Sequence, residues 1–204
     1  MKATKLLLIA GTLAALPLTG FAQGLSYNYI EGGYTKATLE DGDANDFDFD
    51  GFSVAGSGKF TDTLFAFGDY RYLESDTRNG TRADYNSGRI GLGFILPINE
   101  QVHLNAGGGA SFGKFEFEGV GSSATPDDND DTGYFLQTIA RAKLLPALEV
   151  NGGYRYEKLF DQSESTGLLG AVFNFTPALA ALGSFEFGDG TDRYTLGGRY
   201  SFGL

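Results

Sequence analysis

Residues Arg89 to Leu96 read RIGLGFIL, with Ile90, Leu92, Phe94 and Leu96 on one parity and Arg89, Gly91 and Gly93 on the other. Side chains alternate across a strand but follow a 3.6-residue cycle on a helix, so this spacing specifies a strand with one apolar face. The same parity recurs twice. Leu64, Ala66, Gly68, Tyr70 and Tyr72 oppose Asp69 and Arg71, and Leu148, Val150, Tyr154 and Tyr156 oppose Glu149, Asn151, Arg155 and Glu157. Glycine within such segments, from a total of 31, weakens helices and suits closely packed, curved strands. The chain is therefore expected to be all-β.

Alternation alone does not say which face meets which solvent. The polar face carries too many charges for a dry core, because buried charges demand partners. Apolar side chains outward and charges inward is the order of a barrel in lipid; a soluble barrel reverses it. From Leu25 onward about ten segments near ten residues long follow one another; eight is the alternative count. Their connections are alternately short and long. The short ones are Phe60–Thr63, Leu96–Glu100, Leu144–Ala147 and Thr176–Leu179. The longer ones are Leu39–Asn45, Ser75–Asp84, Gly119–Thr132, Leu159–Ser165 and the compact Gly188–Asp192. Short turns at one end and longer loops at the other are a feature of outer-membrane barrels. The expected fold is a ten-stranded, antiparallel, up-and-down transmembrane β-barrel.

Aromatic residues fall at two levels. Tyr34, Tyr70, Tyr72, Tyr154, Tyr156 and Phe187 approach the long loops, while Phe60, Phe94, Phe175, Tyr200 and Phe202 lie beside the short turns or the terminus. Two such belts match the two headgroup layers of a membrane. A loose repeat supports a meander of hairpins: Gly68–Asp76 and Gly152–Asp161 share G-x-Y-R-Y followed by acids, and Glu31–Asp41 is a weaker copy.

The beginning of the chain predicts export. Lys2 and Lys5 precede an apolar run, Leu6 to Phe21, with small residues at Gly20 and Ala22, the layout of a signal peptide cut after Ala22. Residues 1–22 are read as the leader and 23–204 as a single barrel domain. Losing the two lysines leaves 13 bases against 26 acids, a balance that excludes nucleic acid as a partner. With no cysteine, disulfide and thiol chemistry are also excluded.

Two stretches carry a resemblance. Gly24–Tyr34, GLSYNYIEGGY, resembles the opening of the small xanthomonad outer-membrane barrels named as activators of XA-type plant immunity, and more broadly the chain resembles OmpA/OmpX-like barrels. Thr195, Gly197, Tyr200 and Phe202 resemble the terminal assembly signal of outer-membrane proteins, although Gly203 and Leu204 run on past the aromatic. The resemblance implies bacterial outer-membrane localisation, contact with membrane lipid and lipopolysaccharide, and assembly by the barrel-assembly machinery with periplasmic chaperones. It implies no settled activity; the chain is expected to be a monomer.

Three places offer chemistry. Asp46, Asp48, Asp50 and Gly51 are spaced like the start of a calcium loop, but its twelfth position is Ser57 where a bidentate carboxylate is required. Phe47 and Phe49 instead suit an extended strand. Asp41, Asp43, Asp127, Asp128, Asp130 and Asp131 are weak divalent-ion candidates in the acidic loops, whose simpler reading is a solvated surface. His103, the single histidine, follows a short turn and is read as an interfacial polar residue; Ser111 on its strand is out of reach, so no catalytic residue and no cofactor is assigned. The third place is the lumen. Parity puts Glu31, Lys59, Asp69, Arg71, Arg89, Arg141, Lys143, Glu149, Arg155, Glu157, Glu186 and Arg199 inside. Paired charges would plug the bore; unpaired Arg71, Arg89, Arg141, Arg155 and Arg199 would favour anions in a narrow channel. The sequence reading therefore favours a non-catalytic surface barrel with acidic extracellular loops, with a small channel as alternative. A soluble barrel for an apolar ligand would instead require inward-facing aliphatics.

Overall fold

The computed structural model describes residues 24–39, 47–75, 81–119, 129–188 and 191–203. The expected leader, residues 1–22, lies outside them, as do most residues of the three longest connections. Ten strands follow in order: β1 (Tyr29–Leu39), β2 (Phe47–Lys59), β3 (Leu64–Ser75), β4 (Thr81–Pro97), β5 (Val102–Gly119), β6 (Asn129–Leu145), β7 (Leu148–Leu159), β8 (Gln162–Asn174), β9 (Leu179–Gly188) and β10 (Thr191–Ser201). Each pairs antiparallel with its sequence neighbours, and β1 closes on β10 from Tyr29↔Ser201 to Leu39↔Thr191. The result is a closed up-and-down barrel. Closure matters in lipid, where an unpaired strand edge would leave polar groups without partners.

The outer face is apolar over its middle. Ile90, Leu92 and Leu196 are 66 %, 64 % and 72 % exposed, and Ile30, Val54, Leu136 and Leu169 lie on the same surface. A soluble barrel would not leave this band open to water. Phe52, Phe112, Tyr134 and Tyr194 add to the expected aromatic belts and are likewise exposed on the outside.

Toward the long loops the pattern inverts. Outward residues become charged, with Lys36 3.3 Å from Asp48, Lys114 2.5 Å from Glu116, and Arg82 bonded to Glu74 and Asp84. Inward residues become apolar: Ala37, Phe49 and Leu73 pack together with Ala83 and Tyr85. Polar outside and apolar inside is the order of a barrel in water, so this collar stands clear of the hydrocarbon. Strand length agrees. A membrane-spanning strand needs about 9–11 residues, whereas β4, β5 and β6 have 17, 18 and 17. The wall is taller on that side than at β9, with 10 residues.

Two connections differ from expectation. Leu159–Ser165 is not a long loop: β7 and β8 meet at a two-residue turn, Phe160 and Asp161, with φ of 53° and 54°. This is the type I′ geometry whose twist matches a hairpin. Its usual Asn-Gly signature is missing, which hides it in the sequence. The acidic stretch after β1 forms no calcium loop within the described residues, because Asp48, Asp50, Gly51 and Ser57 are all part of β2.

Candidate functional site

The lumen is built from the inward parity of nearly every strand, and its charges form two linked layers. In the lower layer, toward the short turns, Arg141 Nε lies 2.7 Å from Glu149 and Arg199 reaches both Glu31, at 2.5 Å, and Glu149, at 3.4 Å. Arg141 and Arg199 also stack over the rings of Tyr27 and Tyr29, at 4.5 Å and 4.2 Å. Lys143 stands opposite Glu149 at a register shift near the end of β6. Lys59, expected inside, is exposed at the rim and pairs with Asp62.

The upper layer crosses the bore. Arg89 on β4 clasps Asp69 on β3 through two bonds of 2.7 Å and 2.9 Å, then extends to Glu157 on β7 at 3.3 Å. Arg71 on β3 reaches Glu186 on β9 at 3.1 Å. The same carboxylate accepts hydrogen bonds from Arg155, at 2.7 Å, and Arg193, at 2.6 Å. β3 and β9 are far apart around the barrel, so Arg71–Glu186 is a strut rather than a neighbour contact. Two-pronged guanidinium–carboxylate geometry is the strongest form such a pair takes.

One wall of the lumen is aromatic. Tyr27, Phe65, Phe67 and Phe135 form a ladder with ring centroids 5.2, 5.4 and 5.8 Å apart. Phe135 is 1 % exposed. Glycines opposite make room, since a methyl at Gly93 would run into Phe65 and one at Gly91 would lie 3.0 Å from Phe135. The inner face is therefore not simply polar. Between ladder and ion pairs a cavity of about 260 Å³ remains, bordered by Tyr29, Gln137 and Asn151 among others. Above it the inward collar residues form a ceiling, extended by stacked Tyr85 and Phe115 at 4.4 Å and by Phe160 at 5.6 Å from Phe115.

His103 is not at the outer interface. It faces inward, stacks 5.9 Å from the Tyr27 ring, and its Nδ1 lies 3.1 Å from the Tyr27 hydroxyl. It is half-buried at the turn-proximal end, where Leu25 and Tyr27 are buried beside it. Asp41, Asp43, Asp127 and Asp128 lie outside the described residues. Asp130 is exposed, and the carboxylate of Asp131 accepts from the backbone N–H groups of Thr132 and Phe160. Among the described residues no group of three or more acids, histidines or cysteines is placed to hold a metal ion. Of the terminal residues, Thr195 faces inward and bonds Thr35 at 2.9 Å, while Tyr200 and Phe202 are exposed beside the short turns.

Sequence reasoning missed Arg193, Tyr27 and the aromatic ladder. Arg193 shares parity with Arg199, six residues on, but stands beside a segment read as a loop. Phe65 and Phe67 share parity with Asp69 and Arg71, so alternation could have placed them inside.

Residues 6–183 match the model of the outer membrane protein beta-barrel domain. The chain belongs to this family. It lies in the bacterial outer membrane, where an apolar outer band flanked by aromatic girdles is at home. Residues 24–28 and 202–203 lie beside the short turns, which in such barrels face the periplasm. Among solved structures, the translocator domain of the autotransporter NalP from Neisseria meningitidis is 14 % identical over 89 % of this chain and 90 % of its own, with a TM-score of 0.51. Ail, the attachment invasion locus protein of Yersinia pestis, is 17 % identical over 87 % of this chain and all of its own, at 0.49. OprG from Pseudomonas aeruginosa is 9 % identical over 89 % and 99 %, also at 0.49. No curated protein matches the chain.

Proposed function

We propose that this barrel is a non-conducting, non-catalytic surface protein whose work is done by its extracellular loops and charged collar. The observation that carries this is the pair of struts across the bore, Arg71–Glu186 and Arg89–Glu157, beneath an aromatic ceiling. A barrel of ten strands leaves little room beyond its inner side chains, and here those side chains bond to one another. Loops on a rigid scaffold are where such a protein meets its partners. The mixed charges of the collar, set where the outer leaflet's headgroups begin, suit contact with lipopolysaccharide, and the acidic loops above suit cells or a host surface.

Assembly fits the same reading: Thr195, Gly197, Tyr200 and Phe202 serve the barrel-assembly machinery after periplasmic chaperones deliver the processed chain as a monomer. The likeness of Gly24–Tyr34 to the xanthomonad barrels supports kinship with that group.

The alternative, a narrow anion path lined by Arg71, Arg89, Arg141, Arg155 and Arg199, is favoured by the residual cavity. Planar-bilayer recording of the refolded protein separates the two. A silent bilayer is expected; reproducible conductance steps would overturn the closed-lumen reading. In a companion assay, replacing residues 120–128 by a two-residue Asn-Gly turn should abolish attachment while the barrel still folds. Undiminished attachment would remove that loop from the function.

A further inference from the structure

Residues Gly24–Asn28 precede β1 and belong to no strand. Yet Leu25 and Tyr27 are 9 % and 5 % exposed and form a buried cluster with Phe65 and Ile95. The Tyr27 hydroxyl donates to Asn105 Oδ1 at 2.8 Å, and the carbonyl of Ser26 accepts from Arg141 at 2.9 Å. The segment thus turns into the barrel, and Tyr27 with Asn105 and Arg141 borders the cavity from below.

Asn28 forms the base of this segment. Its backbone carbonyl accepts from Phe202 N at 3.0 Å and its side-chain oxygen accepts from Lys59 N at 2.7 Å. Asn28 is therefore tied to both neighbouring strands, whereas Leu25 and Tyr27 are held chiefly by side-chain contacts. Their departure strands no charge, because Arg141 keeps Glu149 and His103 and Asn105 would face water. A buried group whose removal orphans no ion is much cheaper to move than one that does.

We propose that Gly24–Tyr27 is a retractable plug hinged at Asn28, and that its withdrawal opens the lumen cavity to the periplasm alone. The struts and the ceiling stay in place, so the barrel becomes a cup open on one side. Small solutes then reach Gln137 and Asn151 from below without crossing the membrane.

The chain has no cysteine, so one reporter suffices. Gln137→Cys on the cavity wall is treated with an anionic methanethiosulfonate reagent in the refolded protein. Adding Tyr27→Ala should raise the modification rate by about tenfold or more, as expected when local opening controls access. Tyr27→Phe should keep most of the protection, and Phe115→Ala in the ceiling should leave the rate near that of the reporter alone. Equal rates with and without Tyr27→Ala would overturn the proposal, as would a Tyr27→Ala protein that no longer shows the folded barrel's gel mobility. Tyr27→Ala should also stay silent in planar bilayers; conductance in that variant alone would refute the one-sided opening.

Discussion

Replacing Glu186 by glutamine removes the charge on which three guanidinium groups converge. Arg71, Arg155 and Arg193 lie 3.1, 2.7 and 2.6 Å from its two oxygens, and all four side chains are at least 85 % buried. Arg155 also lies 3.8 Å from Glu157, but Arg71 and Arg193 have no second carboxylate bonded to them among the described ion pairs. The Nε atoms of all three arginines are buried without a hydrogen-bond partner, so the loss of Glu186 adds to donors already unmatched. Breaking a buried pair by removing one partner costs about 3–5 kcal/mol, and the convergence here places the loss toward the upper end. The matched control is Glu116→Gln, which removes a partner of Lys114 in the half-exposed collar. That change should cost about 1 kcal/mol or less. Urea titration of the refolded barrel in lipid vesicles, read by the gel-mobility difference between folded and unfolded forms, measures both. High salt should weaken only the control, since buried pairs are poorly screened. If Glu186→Gln matched Glu116→Gln, the struts would not be holding the lumen closed.

Other outcomes follow from the same geometry. Gly93→Val drives a side chain into Phe65 and should cost about 1–3 kcal/mol by overpacking, with Phe65→Ala recovering part of the loss in the double variant. Asn28→Ala removes the acceptor for Lys59 N and should cost about 1 kcal/mol in the same titration; no change would mean the base of the plug is held by other contacts. Phe202→Ala should slow assembly in cells while leaving refolding in vesicles unchanged, and equal slowing in both would separate this residue from any recognition signal.

Much of this barrel was legible because lipid forces a simple rule onto each strand. Where the wall crosses hydrocarbon, as from Arg89 to Leu96, charge and apolarity cannot share a face, and parity alone orients the strand. The rule fails where the solvent changes. Phe49 with Asp48 and Asp50 alternates as cleanly as any membrane segment, but above the headgroups water is outside, so the phenyl ring turns inward. The hairpin at Phe160–Asp161 was hidden because Asp161 tolerates a left-handed backbone but Phe160 does not signal one; tertiary contacts, Phe115 against the ring and Asp131 on the backbone N–H, hold the turn. Pairings across the bore, such as Arg71 with Glu186, were out of reach for another reason. Alternation fixes a side chain's face but not its height, and the register that brings β3 level with β9 is a property of the closed cylinder.

A depth comparison on one strand tests most directly that hydrocarbon surrounds this barrel. Leu92, outward and in the middle of β4, and Asn86, outward on the same strand near the collar, are each replaced by arginine and the unfolding free energy is measured in vesicles. An arginine at the bilayer midplane should cost about 2–4 kcal/mol and one at the interface about 0–1 kcal/mol. Equal costs at the two positions, or a Leu92→Arg protein as stable as the parent, would contradict the account.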